Sequence, residues 1–391
     1  MAKIKVEELF KVFGKNPKAS IALIKKGWSK EDLLKKKKLS VGVKEVSFEV
    51  SEGEIIVIMG LSGSGKSTII RCLNRLIEPT AGKIFIDGVD VTALSDSELR
   101  KLRMSSFGMV FQKFGLFPHR TVVQNAEYGL EVQGIDKADR RAKALETLEL
   151  VGLQGWENSY PEQLSGGMQQ RVGLARALAV DPDILLMDEA FSALDPLIRR
   201  EMQDELLALQ SRLNKTIVFI THDLDEALKL GDKIIILKDG EIVQQGSPEE
   251  ILTRPANEYV ARFIEDVDVS KVLTAQSVMV KAAAVIYPKD GPKTALRKMK
   301  ELGITSMMVV NKDHQLRGMV TLEDAYRLAN EQGKSLDPIL KEVPTVEPDT
   351  GINDLFGRED FPLAVIGDDK RLRGLIVRGA LLAALADRPS P

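Results

Sequence analysis

A glycine-rich octapeptide constrains the fold of this chain more than any other segment. Residues 60–67, GLSGSGKS, match the pattern G-x-x-x-x-G-K-[ST]. They follow a short apolar run, residues 55–59, of the kind that forms a buried strand. The glycines let the backbone curl so that its N–H groups face phosphates, and a helix that begins here adds the positive end of its dipole. The pattern predicts a phosphate-binding loop, with Lys66 on the β- and γ-phosphates and the Ser67 hydroxyl on Mg²⁺. The residues expected to contact the nucleotide are Gly60, Ser62, Gly63, Ser64, Gly65, Lys66, Ser67 and Thr68.

Polar residues end two other apolar runs. Residues 184–187 lead into Asp188 and Glu189, and residues 216–220 lead into Thr221, His222 and Asp223. Strands that alternate with helices form a mainly parallel sheet, whose ligands bind at the carboxyl ends of the strands. There we expect Asp188 to hold Mg²⁺ through water, Glu189 to orient and polarise the attacking water, and His222 to hydrogen-bond the γ-phosphate. Alone, His222 would more often be structural; the convergence of several groups favours catalysis.

Length and composition limit the class of protein. The 391 residues suit two or three domains, and 44% hydrophobic with 29% charged residues is a soluble, globular balance. No apolar run reaches the ~18 residues that span a bilayer, and the first residues lack the apolar core of a signal peptide. We therefore expect a cytoplasmic chain whose membrane role depends on partners or surface contact. The single cysteine, Cys72, excludes a disulfide framework and is expected in the core, and the three histidines show no metal-ligand spacing.

An internal repeat marks the C-terminal part of the chain. Residues 309–320 match residues 365–376 at an offset of 56, and each copy predicts a strand, a polar turn, a second strand and a helix. Two similar units of this size suggest a pseudo-symmetric pair that shares one core. The composition changes near residues 266–270. We therefore predict a first domain at 1–265, a linker at 266–274, and two copies at 275–330 and 331–391.

A third motif gives the first domain a family resemblance. Residues 164–171, LSGGMQQR, resemble the signature motif of ABC transporter ATPases. They open a helix, where a serine and N–H groups form an anion site. In that family the signature caps the γ-phosphate that the phosphate loop of the other subunit holds, so the resemblance implies a dimer of this chain with two ATP molecules between the subunits. The signature residues expected at the nucleotide are Ser165, Gly166, Gly167 and Gln169.

Three more positions take roles from the same resemblance. Gln112 matches the glutamine that touches Mg²⁺ and the attacking water and faces the membrane partner. Asp195 belongs to the loop, residues 192–195, that couples the two ATP sites. Phe13 stands where the family usually has an aromatic ring that stacks on adenine. Because a long insertion follows Phe13, Phe10 competes for this role, and ordinary core packing is the alternative for either ring.

The resemblance covers about residues 3–265 and narrows within the family. Residues 58–65 and 188–199, with Ala190 after the Asp-Glu pair, look like the ATPases of glycine betaine/proline importers used in osmoprotection. The implied fold is a P-loop NTPase of ABC type, with a mainly parallel sheet core, a helical subdomain and an antiparallel β subdomain, followed by an α+β pair.

The same resemblance implies cofactors, a partner and a location. The cofactors are ATP and Mg²⁺, and the partner is an integral-membrane permease with a substrate-binding domain, which holds the chain at the cytoplasmic face of the membrane. The alternative is the ATPase of another amino-acid or amine importer. Soluble ABC ATPases of ribosomes or nucleic acid usually carry two ATPase halves or coiled-coil insertions, and this chain has one half and neither insertion.

A basic insertion interrupts the first domain at residues 14–40. Eleven lysines stand against three acidic residues in the segment 11–45, and the sequence predicts two short helices with Ser29 as N-cap of the second. The insertion is either a solvated loop or a salt-screened contact with anionic lipid head groups, at ~1 kcal/mol for each lysine. Nucleic-acid binding is disfavoured because no aromatic residues interleave with the lysines. The lysines expected at the lipid surface are Lys35, Lys36, Lys37 and Lys38.

The repeated pair resembles tandem CBS domains, a regulatory module that commonly binds adenine nucleotides. In the first copy Thr321 and Asp324 match the hydroxyl-x-x-Asp pattern, in which the aspartate binds a ribose. The second copy has residues 377–380, VRGA, at that place and a shorter preceding helix, which disfavours a standard AMP site there. In osmolyte importers of this kind the pair is expected to dimerise and to bind cyclic di-AMP, which inhibits transport; the alternative is a packing module without a ligand. The basic residues that could meet the phosphates are Lys370, Arg371, Arg373 and Arg378.

Overall fold

The computed structural model describes residues 2–265, 272–356, 358 and 360–381. By its contacts the chain divides into two compact units, Met1–Ile264 and Glu265–Pro391. Of the predicted linker 266–274, residues 266–271 lie outside the described part, as do residues 382–391 of the predicted second copy. No described helix combines the length and the apolar character needed to cross a membrane.

The first unit contains two sheets and the helices that cover them. Its strands are β1 (Ala2–Phe13), β2 (Ser40–Ser51), β3 (Ile55–Met59), β4 (Ala81–Ile86), β5 (Val89–Asp90), β6 (Phe107–Phe111), β7 (Ile184–Asp188), β8 (Thr216–Thr221), β9 (Lys233–Lys238) and β10 (Glu241–Gly246). Its helices are α1 (Lys18–Lys25), α2 (Lys30–Lys37), α3 (Lys66–Leu73), α4 (Asp96–Ser105), α5 (Val122–Ala126), α6 (Tyr128–Val132), α7 (Lys137–Leu150), α8 (Gly166–Ala179), α9 (Pro196–Leu213), α10 (Leu224–Leu230), α11 (Pro248–Thr253) and α12 (Glu258–Ile264).

The central sheet has six strands in the order β10-β9-β3-β8-β7-β6. Neighbouring strands are parallel except β10, which is antiparallel to β9. Every residue of β3, β7 and β8 is buried, as expected for a parallel sheet covered on both faces. Asp239 and Gly240 join β9 to β10 with φ values of 53° and 85°, the pair of positive angles that a two-residue hairpin turn requires. The predicted hairpin is therefore confirmed.

An antiparallel sheet of order β2-β1-β4-β5 packs on the central sheet. Its inward residues, among them Ile4 and Val6, belong to the same core cluster as Ile56 and Ile58 of β3. Cys72 lies in this cluster with no exposed surface, which confirms the core position predicted for it. The helices α5, α6, α7 and α8 pack on one another and form a helical subdomain. These layers confirm the fold class predicted for the first domain.

The basic insertion forms the two predicted helices, α1 and α2. Ser29 caps α2, because its hydroxyl accepts a hydrogen bond from the N–H of Asp32 at 3.1 Å. Ile24, Leu33 and Leu39 are buried in a small cluster that includes the side chain of Phe10 on β1. The insertion is therefore packed against the antiparallel sheet and is not a free loop.

The second unit contains two three-stranded sheets, one from each copy of the repeat. The strands are β11 (Ala284–Ile286), β12 (Ser306–Val310), β13 (Leu316–Thr321), β14 (Thr345–Val346), β15 (Leu363–Ile366) and β16 (Leu372–Ile376). The helices are α13 (Ala275–Val278), α14 (Pro292–Leu302), α15 (Leu322–Asn330) and α16 (Ile352–Phe356). The chain runs 24 residues from Ala284 to its partner position Met308 on β12, but only 19 from Thr345 to Ala364 on β15. The shorter α16 accounts for this difference, as predicted.

The two copies agree in strand register, including one irregularity. The pairing of β12 with β13 shifts by one residue between Val309 and Val310, and that of β15 with β16 shifts at the equivalent place, between Val365 and Ile366. The turns that follow pair with each other: the N–H of Leu316 donates to the carbonyl of Lys370, and the N–H of Leu372 donates to that of His314. These reciprocal bonds mark a pseudo-twofold axis between the turns.

The hydrophobic cores of the two copies do not follow the predicted division at residue 330. Residues of α13 pack with Ile352 and Leu363 in the core of the second copy, whereas Leu336 and Ile339 pack in the core of the first. Val280 likewise pairs with Leu375 of the second copy. The core of each copy is therefore completed by a segment from outside its own predicted range. The apolar residues of these segments are buried against the sheet of the other copy.

Candidate nucleotide site

The phosphate loop, residues 60–67, joins β3 to α3 in a conformation that glycine alone tolerates. Gly60 and Gly65 have φ values of 149° and 107°. A Cβ on Gly60 would lie 2.3 Å from the carbonyl oxygen of Leu237, and one on Gly65 would lie 2.3 Å from that of Gly42. Both the backbone angle and the lack of space explain why these positions are glycine.

The polar side chains of the loop differ in exposure. Ser62 is exposed and Thr68 is half-buried, whereas Ser64 is buried and its hydroxyl has no hydrogen-bond partner among the described residues. A buried hydroxyl without a partner is uncommon. An acceptor such as a phosphate oxygen would satisfy it, so this atom fits the predicted phosphate site.

Lys66 turns its amine back onto the loop. Its Nζ donates to the carbonyl of Gly60 at 2.8 Å and to that of Leu61 at 3.3 Å, and it lies 3.6 Å from Oε1 of Glu189. An ammonium group has three N–H donors, and two of them are hydrogen-bonded to carbonyls of the loop. A turn of the amine toward a phosphate would exchange these carbonyls for phosphate oxygens.

Ser67 and Asp188 lie together, as a shared Mg²⁺ ligand pair requires. The Ser67 hydroxyl donates to Oδ1 of Asp188 at 2.8 Å, and the side chain of Asp188 is only 9% exposed. Among the described residues no group of three or more His, Cys, Asp or Glu side chains is placed to hold a metal. One hydroxyl and one carboxylate, both hard oxygen donors, suit Mg²⁺, which takes its remaining ligands from water and substrate phosphates.

Glu189 sits at the centre of the candidate site. Its Oε2 accepts from Nε2 of Gln112 at 3.1 Å and lies 3.7 Å from Nδ1 of His222. Its φ of 48° is unusual for glutamate, and hydrogen bonds hold it there: its N–H donates to Ile220 of β8, and its carbonyl accepts from the N–H and hydroxyl of Ser192. Because the backbone turns at Glu189, the side chains of Glu189 and Asp188 leave the end of β7 in different directions.

Four predicted residues therefore meet at one edge of the central sheet. Gln112 follows β6, Asp188 ends β7 with Glu189 directly after it, and His222 follows β8. Gln112 donates to Glu189 and, at 3.3 Å, to the hydroxyl of Ser192; it does not contact Ser67 or Asp188. In this structure it is joined to the predicted catalytic carboxylate and not to the predicted metal ligands.

The two rings proposed for adenine stacking differ in exposure. Phe10 is 1% exposed and belongs to the small core of the insertion, whereas Phe13 is 41% exposed. The amine of Lys11 lies 4.9 Å from the ring centre of Phe13. A buried ring offers no face to a base, so Phe13 is the candidate that the geometry leaves open.

The signature segment caps α8. The Ser165 hydroxyl accepts from the N–H of Met168 at 3.3 Å, and the amide of Gln169 donates to the carbonyls of Pro161 and Leu164. A Cβ on Gly167 would lie 2.5 Å from Ile198, so close packing on α9 requires this glycine. Gly166, which precedes it, is exposed, and a Cβ there would meet Leu194 and Phe114 only at 3.7 Å.

The signature segment and the phosphate loop of one chain remain separate. Within residues 2–265, no hydrogen bond or ion pair joins residues 164–169 to residues 60–68. Asp195 caps α9 by accepting from the N–H of Ile198 at 3.2 Å. The predicted action of the signature segment on the ATP site of a second subunit therefore stays a prediction.

Two arginines at the site were not found from the sequence. Arg71 on α3 lies 3.2 Å from Oδ2 of Asp188. The signal was present, because Arg71 is four residues after Ser67 and hence on the same helix face. Arg199 on α9 contacts the loop 192–195 and Asp223, and no local pattern indicates this contact.

Two of the four exposed lysines that were predicted to contact lipid form ion pairs within α2. Lys35 and Lys36 lie 3.3 Å and 2.8 Å from Glu31 and Asp32, with 76% and 61% of their side chains exposed. Exposed pairs of this kind contribute little and are screened by salt. The other two predicted lipid contacts, Lys37 and Lys38, are exposed and take part in none of the ion pairs described for residues 2–265.

In the second unit, Asp324 is already engaged. The Thr321 hydroxyl donates to it at 2.7 Å, and Lys341 and Arg327 form ion pairs with it. The hydrogen bonds from Lys341 and then Thr321 hold the pKa of Asp324 below its usual value. A ribose would have to replace one of these partners.

The basic residues predicted for cyclic di-AMP do not form one group. Arg378 lines a cavity of about 560 Å³ between the two copies, together with Lys281 and Thr305. The other three, Lys370, Arg371 and Arg373, lie at the turn between β15 and β16, near the pseudo-twofold axis. Arg373 lies on β16 and Arg378 two residues beyond its end, so at most about 16 Å of chain separates them, at roughly 3.3 Å per residue.

Comparisons with known proteins agree with this arrangement. The model of the ABC transporter family matches residues 43–192, and that of the CBS domain matches residues 275–331. The glycine betaine transport ATP-binding protein OpuAA of Bacillus subtilis (strain 168) is 57% identical over 388 residues, which cover 98% of this chain and 92% of the relative. The glycine betaine/carnitine transport ATP-binding protein GbuA of Listeria monocytogenes serotype 1/2a (strain 10403S) is 57% identical over 390 residues, covering 99% and 98% of the two chains.

A solved structure shares the fold of the first unit. It is the dimeric post-hydrolysis state of the ATP-binding cassette MJ0796 bound to ADP and Pi, at 35% identity and a TM-score of 0.53. The match covers 63% of this chain and 98% of that chain. The similarity thus takes in nearly the whole of the cassette and leaves about a third of this chain outside it.

Proposed function

This chain belongs to the ATP-binding proteins of ABC transporters, and we propose that it energises a membrane permease that imports glycine betaine or a related quaternary amine. It is an ATPase of the ABC type. The permease would hold it at the cytoplasmic face of the membrane. The solute rests on the names of the relatives, which are proteins of glycine betaine and carnitine transport. The observation that carries the mechanism is the meeting of four side chains beside the phosphate loop: Gln112, Asp188, Glu189 and His222.

Hydrolysis would begin with the release of Glu189 from Lys66. The two groups lie 3.6 Å apart, and a phosphate would draw the amine away because it carries more negative charge than one carboxylate. A carboxylate that loses a cationic neighbour is a stronger base. Glu189 would then accept the proton of the attacking water while Gln112 keeps its carboxylate oriented through the 3.1 Å hydrogen bond.

Ser67 and Asp188 would hold Mg²⁺, which supplies charge neutralisation at the β- and γ-phosphates. Asp188 keeps its orientation through Arg71 and the Ser67 hydroxyl. His222, 58% exposed beside Glu189, is free to donate to a γ-phosphate oxygen. Apart from the proton transfer to Glu189, these steps are ones of positioning and charge stabilisation, as phosphoryl transfer requires.

Closure of a dimer would complete the site. In the proposed arrangement Ser165 and Gly167 of one subunit cap the phosphate held by Lys66 of the other, at the positive end of the α8 dipole. The separation of the signature from the loop within one chain supports this, as does the dimeric state of the ADP-bound relative. Closure would drive the permease through the face near Gln112.

Transport in proteoliposomes tests the solute. The chain is reconstituted with the permease encoded beside it, and ATP-dependent uptake of labelled glycine betaine is measured with carnitine, choline and histidine as competitors. Accumulation of betaine that only quaternary amines inhibit supports the proposal. Uptake of another amino acid or amine without betaine would instead identify the alternative importer.

We further propose that the second unit inhibits transport when cyclic di-AMP binds. The cavity between the copies, with Arg378 and Lys281 in its lining, has the charge that a dinucleotide requires. Calorimetric titration of the full chain with cyclic di-AMP, ATP and AMP tests this, with Arg378→Gln as the site variant and Arg262→Gln in the first unit as the matched control. Absence of heat with cyclic di-AMP and AMP, together with ATP heat that Arg378→Gln leaves unchanged, would leave a packing module.

The basic insertion is proposed to bind anionic lipid until internal salt rises. Its helices are fixed by buried Leu33 and Ile24, so Lys35 to Lys38 are held, exposed, at the C-terminal end of α2. The test replaces these four lysines with glutamine and measures the internal salt at which transport begins. A control variant replaces four exposed lysines elsewhere: Lys83, Lys101, Lys137 and Lys143. A threshold that moves with neither variant would reject the lipid contact.

A further inference from the structure

One arginine connects two loops of the nucleotide site. Arg199 stands in the first turn of α9, and its Nη2 donates to the carbonyl of Leu194 at 3.1 Å. Its Nη1 lies 3.4 Å from Oδ2 of Asp223. Leu194 belongs to the loop 192–195, and Asp223 directly follows His222. A single planar guanidinium therefore spans from the loop before α9 to the loop that carries the histidine.

Both partners of this guanidinium are fixed to their own elements. Asp223 caps α10, since its Oδ1 accepts from the N–H of Glu226 at 3.2 Å and its own N–H donates to the Thr221 hydroxyl at 3.0 Å. Leu194 is 5% exposed, and its N–H donates to the carbonyl of Phe191. A displacement of either loop would therefore be transmitted to the guanidinium of Arg199, because both of its partners are hydrogen-bonded within their own elements.

A buried carboxyl interacts with Arg199 through its charge. Glu226 accepts from the Gln203 amide at 3.1 Å; burial raises the pKa of its carboxyl, and Arg199 acts in the opposite direction. Nε of Arg199 is buried with no partner among the described residues. A buried N–H without a partner is costly. The contacts of the two Nη atoms with Leu194 and Asp223 offset this cost and hold the side chain in place.

We propose that Arg199 is a positioning residue that couples the loop 192–195 to His222. When a second subunit moves this loop on closure, the rigid guanidinium shifts Asp223 and with it the adjacent histidine. The planar fork makes two directed contacts at once, which a lysine cannot reproduce. The inference rests on the proposed function, because it concerns the same ATP site and the same closure.

Steady-state hydrolysis by the full chain tests the coupling. Arg199→Met should lower kcat about tenfold, the lower end of what loss of an orienting partner costs, while KM for ATP changes less than about twofold. The Hill coefficient for ATP should fall toward 1, because closure no longer reaches His222. Arg199→Lys should lie between the wild type and Arg199→Met, since one of the two contacts can form.

A double-mutant cycle separates coupling from simple damage. Asp223→Asn should lower kcat, and Arg199→Met combined with Asp223→Asn should be no slower than the slower single variant, because both remove one connection. Arg212→Met is the matched control, since Arg212 is exposed in the last turn of the same helix. Thermal unfolding of every variant is measured beside it. If Arg199→Met does not fold, Arg199→Lys and Asp223→Asn still give the cycle.

Three outcomes would overturn the inference: wild-type kcat in Arg199→Met, an unchanged Hill coefficient, or fully multiplicative losses in the double variant. The proposed function is judged separately with Glu189→Gln. If Glu189→Gln abolishes turnover while Arg199→Met hydrolyses ATP as the wild type does, only the coupling fails. If Glu189→Gln keeps wild-type turnover, the assignment of the site itself fails.

Discussion

Replacing Glu189 with glutamine separates proton transfer from nucleotide binding. The change keeps the shape of the side chain and an oxygen that can accept from Gln112 at 3.1 Å, but it removes the base and the charge that lies 3.6 Å from Lys66. Loss of a general base lowers the rate by about 10²- to 10⁴-fold, which corresponds to roughly 3–5 kcal/mol of barrier. We therefore expect kcat to fall by that factor.

The same substitution should not weaken ATP binding. Lys66 no longer has to leave a carboxylate, so ATP should bind equally well or more tightly. Hydrolysis is measured by phosphate release, and nucleotide affinity by a fluorescent ATP analogue at fixed Mg²⁺. Light scattering after gel filtration should detect a dimer that persists with ATP.

Two results would refute the reasoning on Glu189. Turnover at the wild-type rate would remove it from the reaction. A loss of turnover with ATP binding weakened tenfold or more would show that Glu189 holds the loop and does not act on water. Glu146→Gln, on the exposed face of α7, is the control and should match the wild type in both assays.

Three further substitutions test other parts of the structure. Gly65→Ala should abolish ATP binding in calorimetry while the chain stays folded by circular dichroism, because φ is 107° and the new Cβ would lie 2.3 Å from the carbonyl oxygen of Gly42. Leu33→Ala should cost about 2–4 kcal/mol of local stability, since Leu33 has no exposed surface; hydrogen exchange should rise in residues 15–38 with ATPase activity kept, and unchanged exchange would contradict the packing. Lys341→Gln removes the main cause of the lowered pKa of Asp324, whose usual value is 3.8. A lowered pKa stabilises the fold above about pH 4 and loses this effect as pH falls further, so the variant should unfold at lower temperature than the wild type near pH 7, and this difference should shrink as the pH falls below about 4.

The phosphate loop between a strand and a helix could be predicted from the sequence because that information is local. A glycine pattern, a strand end and a helix start stand side by side in residues 55–67, and nothing distant is needed to interpret them. The order of the strands is different: β8 lies between β3 and β7, which depends on packing across the whole sheet. The contact of Gln112 with Glu189 follows from that order and could not be read from their separation in the chain.

The second unit shows where local patterns stop being sufficient. The repeat predicted the strands and the short α16, since the two copies can be compared position by position. It did not predict that α13 packs in the core of the second copy and Ile339 in that of the first. The apolar residues of a short connecting segment do not indicate which of the two sheets will bury them. Nor did the nearness of Arg373 and Arg378 in sequence place them at one site, since an extended strand separates them.

The matched register shifts of the second unit bear on how this module arose and what it can become. The shift at Val309 recurs at Val365, although the hydroxyl and carboxylate of Thr321 and Asp324 have no counterparts in the second copy. Duplication of one ancestral half would explain the shared irregularity. Later divergence would explain the loss of the hydroxyl and the carboxylate from the second copy. A one-residue slip would turn every following side chain to the other face of its sheet, whereas a change at the ligand position leaves packing intact. Selection can thus exchange or discard the signal that such a module detects while its framework stays the same.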